Sequence, residues 1–177
     1  MKMHKQPLVS VVIPCYNHEN FVQDCIKSVI DQTYENIELI IIDDGSKDGS
    51  VQKIQEMSAA CQKRFTRFEF RYRPNKGLSE TLNEALEWCE GLYLSPIASD
   101  DQMLKQKIQL QVNFLEKNKQ SEFNRMKKFL KNNPEIIEKG TPGGRCKKAS
   151  QETGIFKDDY AMPLWLILFY AKKFEFI

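Results

Sequence analysis

Apolar residues along this chain follow two alternating rhythms. Leu8-Val9-Ser10-Val11-Val12-Ile13 is a nearly continuous β-branched run halted by Pro14, the pattern of a strand buried on both faces. Phe21, Cys25, Ile26 and Val29 then recur at helical spacing, which puts one apolar stripe on a helix between Asn20 and Asp31. The unit repeats. Ile37 to Ile42 predicts a second strand, Asp43-Asp44-Gly45-Ser46 a turn, and Val51, Ile54, Ser58 and Cys61 one face of a second helix. Phe68-Glu69-Phe70-Arg71-Tyr72 alternates as a third strand, Pro74-Asn75-Lys76-Gly77 turns, and Leu78, Leu82, Ala85, Leu86 and Cys89 mark a third amphipathic helix. Leu92 to Ile97, interrupted by Pro96, predicts a fourth strand, and the acidic pair Asp100-Asp101 precedes a helix with Leu104, Ile108, Val112 and Leu115. Successive strand-helix units imply an α/β fold: a mostly parallel sheet flanked by helices.

After Asn118 the rhythm fails. Lys119 to Ser150 holds nine basic and three acidic residues, with Pro134, Pro142 and Gly143-Gly144 as breakers and Phe123, Met126, Phe129 and Leu130 as one helical face. Asp158-Asp159-Tyr160 reads as a loop leading through Leu164-Trp165-Leu166-Ile167-Leu168-Phe169 into a buried helix that ends near Lys172-Lys173. The 177 residues suit one domain, in which 1–118 form one half and 119–177 a shorter, basic second half. Charge follows the same division: 14 basic against 17 acidic residues in 1–118, and 12 against 7 in 119–177. The net +2 is too small to imply a nucleic-acid partner. Residues 119–150 read either as a solvated linker or as a peripheral contact with anionic membrane, at about 1 kcal/mol per close Lys or Arg.

Cysteine usage points to a reducing, cytoplasmic setting, because the five cysteines include no C-x-x-C pair. The basic N-terminus leads into a strand-like run rather than a signal peptide, and the run from Leu164 to Ala171 falls far short of the roughly 20 residues a membrane span needs.

In an open parallel sheet, ligands bind at the carboxyl ends of the strands. Here those ends carry Pro14-Cys15-Tyr16-Asn17, Asp43-Asp44-Gly45-Ser46, Pro74-Asn75-Lys76-Gly77 and Ala98-Ser99-Asp100-Asp101. Neither a G-x-G-x-x-G fingerprint nor a phosphate loop occurs. A bound nucleotide diphosphate would therefore need another counter-charge, and Mg²⁺ or Mn²⁺ held by Asp100 and Asp101 supplies one, since such cations take one or two carboxylates plus phosphate oxygens. Each group also has a plainer role. Asp100-Asp101 could cap a helix, Asp43-Asp44-Gly45-Ser46 is good turn chemistry, Tyr16 could cover the sheet edge and Lys76 could be a solvated turn lysine. His18 reads as a polar loop residue, with no second His or Cys at metal-ligand spacing. Four such groups on four strand ends favour a site.

The run Val9-Ser10-Val11-Val12-Ile13-Pro14-Cys15-Tyr16-Asn17, then Ser28-Val29 with Gln32-Thr33-Tyr34, then Glu38 through Ser50, resembles the opening of a family 2 glycosyltransferase of the GT-A fold, a Rossmann-like sheet. Arg73-Pro74-Asn75-Lys76-Gly77-Leu78-Ser79 with Asn83 and Ala85, and then Ala98-Ser99-Asp100-Asp101, continue the likeness in order. It covers about residues 7–117. The resemblance implies that Pro14, Tyr16 and Asp44 line the uracil pocket of a UDP-sugar donor, that Asp100 holds the metal on the diphosphate and that Lys76 assists. Asp158-Asp159-Tyr160 resembles the family's Glu-Asp-aromatic segment, which makes Asp159 the catalytic base. Two departures stand out. Ala98 occupies the first position of the usual acid-x-acid metal motif, and the stretch between the two matching regions is shorter than in the family. The expected activity is inverting transfer of a sugar from a UDP-sugar to a saccharide or polyprenyl-linked acceptor in bacterial surface polysaccharide (O-antigen or capsule) synthesis. The rival expectation is a catalytically defective UDP-sugar-binding remnant.

Overall fold

The structure, a computed structural model of the chain, describes residues 6–118. The chain divides into two compact units, residues 1–111 and 112–177. The first unit runs β1 (Val9–Cys15), α1 (Val22–Ile30), β2 (Ile37–Asp43), α2 (Ser50–Arg64), β3 (Arg67–Tyr72), α3 (Leu78–Trp88) and β4 (Tyr93–Pro96). The four strands form one parallel sheet in the order β3-β2-β1-β4. The chain thus walks outward from β1 to β3 and then crosses back to the other side of β1. Right-handed crossovers place α1 and α2 on one face and α3 on the other; α1 packs on α2, and α3 lies across β1 and β2.

The two central strands explain why the run from Leu8 to Ile13 and the run from Ile37 to Ile42 lack polar alternation. Every residue of β2 is buried, and in β1 only Pro14 is not. β3, at the sheet edge, keeps the alternating sequence of a strand with one wet side, and its Tyr72 is exposed.

Three expectations from periodicity are corrected. Phe21 and Leu78, placed by spacing on core stripes, are exposed; α1 starts one residue after Phe21, and α3 buries Thr81 and Ala85 instead. The helix after Asp100-Asp101 begins only at residue 107, so the two acids do not cap it, and Leu104 is exposed. The cause is at the end of α1. Gln32 donates from Nε2 to the Leu104 carbonyl at 2.9 Å and accepts the Ile108 amide at 3.1 Å, while Ser28 Oγ accepts the Met103 amide at 2.9 Å. These bonds satisfy the backbone of this stretch in a non-helical path.

At the amino end of the sheet a charge is buried. The Glu38 side chain has no exposure, yet it accepts hydrogen bonds from Ser10 Oγ at 2.5 Å, the Glu90 amide at 2.6 Å and the Gly91 amide at 2.8 Å. Its second oxygen pairs with Arg67 Nη1 at 3.0 Å. A Cβ at Gly91 would stand 2.4 Å from Ser10 Oγ, so only glycine lets the loop before β4 come this close. Removing one member of such a set strands the others, at a cost of about 3–5 kcal/mol. Glu38→Ala is therefore expected to lower the thermal midpoint by roughly 10 °C; a fall of under about 2 °C in a calorimetric scan would show that water replaces these bonds.

Candidate functional site

The loops at the carboxyl ends of the strands are bonded to one another rather than merely adjacent. Asn17, after β1, has φ of +55°, a left-handed conformation that Asn tolerates better than most residues. There its amide donates to Ser46 Oγ and its Oδ1 accepts the Lys47 amide, both at 2.8 Å. Asp43, fully buried, closes the turn three residues on by accepting the Ser46 amide at 2.8 Å and the Ser46 hydroxyl at 2.6 Å. Gly45 (φ +79°) lies against the next loop so closely that a Cβ would sit 2.6 Å from the Asn75 nitrogen. Asp43 thus builds the turn and leaves Asp44 to face the crevice.

Asp44 is almost wholly buried. Its Oδ1 accepts the Lys76 amide at 2.8 Å and its Oδ2 the Gly77 amide at 2.9 Å, and Arg73 Nη1 pairs with Oδ1. Gly77, at φ +89°, allows the β3–α3 loop to aim both amides at one carboxylate. Arg73 is itself fixed: Nε pairs with Glu84 Oε2 at 2.6 Å, and Nη2 donates to Thr81 Oγ1 at 3.0 Å. Burial pushes the Asp44 carboxyl up, but the Lys76 amide, the Arg73 guanidinium and the Gly77 amide outweigh it and hold the pKa below the usual carboxylate value.

A cleft of about 390 Å³ opens over this floor. Pro14 and Tyr16 form one wall, Leu78 and Asn75 border it from the β3–α3 side, and Ala98 and Ser99 close it beyond β4. It lies where the strand order reverses between β1 and β4, the position at which open α/β sheets take ligands. The exposed Leu78 missed by helical periodicity is accounted for here, as a lining residue. Cys15 also lines the cleft, but burial pushes its thiol up to about 11, so it remains a protonated, inert group at neutral pH.

The candidates named from sequence fall into four groups. Pro14, Tyr16 and Asp44 are brought together in the cleft. Lys76 has an exposed side chain and contributes to the floor through its backbone amide. Asp100 and Asp101 are exposed beyond β4; the Asp101 amide donates to the Ala98 carbonyl at 3.0 Å, and Asp100 Oδ1 lies 4.0 Å from His18 Nδ1. Among the described residues, no three His, Cys, Asp or Glu side chains converge on one point. An exposed carboxylate next to the cleft-lining Ser99 still fits Mg²⁺ or Mn²⁺, because those ions complete their shells with phosphate oxygens and water. Asp159 and the basic 119–150 segment lie outside the described residues. Sequence reasoning gave Arg73 no role of its own and set His18 aside; no single-residue signal marks either, since both act through partners distant in sequence.

An α/β sheet of this order, with its cleft at the switch point, has the arrangement in which open parallel sheets take their ligands. The model of glycosyl transferase family 2 matches residues 10–171, and the chain belongs to that family. A Rickettsia conorii glycosyltransferase is 39% identical over 110 residues, covering 62% of this chain and 17% of the relative. A Bacillus subtilis glycosyltransferase named for teichuronic acid biosynthesis, TuaG, is 36% identical over 110 residues, covering 62% and 42%. The chain thus spans less than half the length of these relatives. S. aureus TarS, solved alone and with UDP, superposes with a TM-score of 0.55 at 23% identity over 63% of this chain and about a third of that structure, which establishes the GT-A fold. No helix of the described residues is long and apolar enough to cross a membrane.

The depressed Asp44 pKa makes an acid-stability prediction. Because the folded value lies below the ordinary 3.8, its contribution is complete above that pH and is lost as pH falls through the folded value. Asp44→Asn should therefore be less stable than the parent at pH 7, with the gap narrowing below pH 4. Parallel denaturation curves at all pH values would show that the ion pair does not form.

Proposed function

We propose that this chain is the donor-binding and catalytic part of an inverting glycosyltransferase that moves a sugar from a UDP-sugar to a hydroxyl of a saccharide or polyprenyl-linked acceptor. The observation that carries this reading is the prearranged Asp44 carboxylate lining the same cleft as Tyr16 in a family 2 chain. A carboxylate fixed by two amides and a guanidinium presents an acceptor to an imide N–H such as that of uracil, with little reorganisation. Tyr16, about half exposed, offers its ring face to a planar base. UDP in the TarS complex, on the same fold, is in keeping with this donor.

The reaction would be a single displacement. The acceptor oxygen attacks the anomeric carbon as the bond to the diphosphate breaks, and Asp159 takes the acceptor hydroxyl proton. Asp100 would hold a Mn²⁺ or Mg²⁺ ion, whose chemistry when bound is neutralisation of negative charge on the departing diphosphate. The relationship to TuaG, named for teichuronic acid biosynthesis, supports a role in bacterial surface polysaccharide assembly. Ala98, where the family usually has an acid, favours a second reading in which the chain binds UDP-sugar without transferring it.

Titration with UDP separates these readings. At 100 times its Kd, UDP adds about 2.7 kcal/mol of stability, a rise of several degrees in the thermal midpoint. Mn²⁺ should enlarge the rise and EDTA reduce it, and the Mn²⁺ effect should vanish in Asp100→Ala. Absence of any shift with UDP would overturn the donor assignment. Tyr16→Ala is expected to weaken UDP far more than inorganic diphosphate, and equal losses would remove Tyr16 from the base pocket. Asp159→Asn should cut transfer by about 10²–10⁴ with UDP binding intact; transfer absent in the parent, with UDP bound, would favour the binding-only reading.

A further inference from the structure

His18 follows β1 and Asp100 follows β4, so the two lie on opposite lips of the switch-point cleft. Although they are 82 positions apart, His18 Nδ1 is 4.0 Å from Asp100 Oδ1. The ring is oriented from two sides. Ser99 Oγ, 1% exposed, lies 2.7 Å from Nδ1, and Phe21 meets the ring edge-on at a centroid distance of 6.2 Å. The His18 amide is also tied, donating to Ser50 Oγ at 2.9 Å. Such double restraint is more than a solvated loop histidine requires. His18 lines the cleft, whereas Ala98, which occupies the other acid position of the family's metal motif, has no ligating atom in its side chain.

We infer that His18 is the second protein ligand of the divalent cation held by Asp100, taking the place left by Ala98. This rests on the donor-site reading above. Bonds of about 2.1 Å from the ion to an imidazole nitrogen and to a carboxylate oxygen span at most about 4.2 Å, so the observed separation lets both atoms reach one ion without backbone movement. Turning Nδ1 to the ion exchanges its 2.7 Å contact with Ser99 Oγ for a bond to the metal. Two protein ligands are few, and diphosphate oxygens and water complete the shell. An imidazole shifts preference away from Mg²⁺ and toward transition ions such as Mn²⁺ and Co²⁺.

The test is cation binding by the full chain saturated with UDP, read by calorimetry for Mg²⁺ and Mn²⁺ and by electron spin-echo spectroscopy of bound Mn²⁺. The expected result is imidazole ¹⁴N modulation in the parent that is lost in His18→Ala, with Mn²⁺ affinity falling about tenfold or more and Mg²⁺ affinity changing far less. His18→Asp, which restores a carboxylate, should recover affinity for both ions and erase the preference for Mn²⁺. If Mn²⁺ binds in an Asp100-dependent way but shows no ¹⁴N modulation and no loss in His18→Ala, the inference is overturned and the donor site stands. If UDP binds the parent but no cation binding depends on Asp100, the metal assignment itself fails and takes this inference with it.

Discussion

The carboxylate of Asp44 is surrounded by three donors from beyond its own strand: two backbone amides of the β3–α3 loop and the guanidinium of Arg73. Leaving that charge in a nearly water-free place without them would cost several kcal/mol, and each donor is available only if a different element is in position. Gly77 must hold a positive φ, Arg73 must be turned inward, and α3 must bring Thr81 and Glu84 to the far side of Arg73. The floor of the cleft, the end of β3 and the start of α3 are therefore set by one polar cluster. The same donors that stabilise the charge also fix the direction in which it can accept a further hydrogen bond.

β2 carries a second buried charge at its other end. Glu38 and Asp43-Asp44 bracket an otherwise aliphatic strand, each with specific partners on neighbouring elements. A strand of uninterrupted Ile and Leu buried on both faces has little in its hydrophobic pattern to define register, because a slip replaces one aliphatic side chain by another. Here a slip of one residue would take Glu38 away from Ser10, its partner in the β1 pairing, and from Gly91. It would also withdraw Asp44 from the amides of Lys76 and Gly77. Polar anchors at both ends thus do for β2 what alternation does for the edge strand β3.

The element order and the parallel sheet were legible because the signals were local: β-branched runs, helical spacing and Asp-Gly or Asn-Lys-Gly turns between them. The gathering of Pro14, Tyr16 and Asp44 at one end followed from topology alone. What periodicity could not distinguish was an apolar residue in the core from one facing a cleft. Leu78 has the spacing of a core residue and lines the site, while Thr81, which looks polar and exposed, is buried because Arg73 and the Gly77 carbonyl satisfy its hydroxyl. The delayed helix start at residue 107 was hidden for a related reason. Its cause is a side chain, Gln32, about 75 positions away, and composition near Asp100 carries no trace of it.

On the proposed reading, a cleft with a rigid polar floor and an exposed rim would divide donor recognition into two kinds of contact. At the floor, Asp44 has its charge compensated before any ligand arrives, so a base gains orientation there at little cost in reorganisation. At the rim, His18 and Asp100 remain partly solvated and 4.0 Å apart, without a strong mutual ion pair to break. On the proposed reading, a counter-ion of the diphosphate would meet groups there that are not already committed to each other. A donor held mainly through its base at the floor would, on that reading, leave uniform affinity away from the bond that must break.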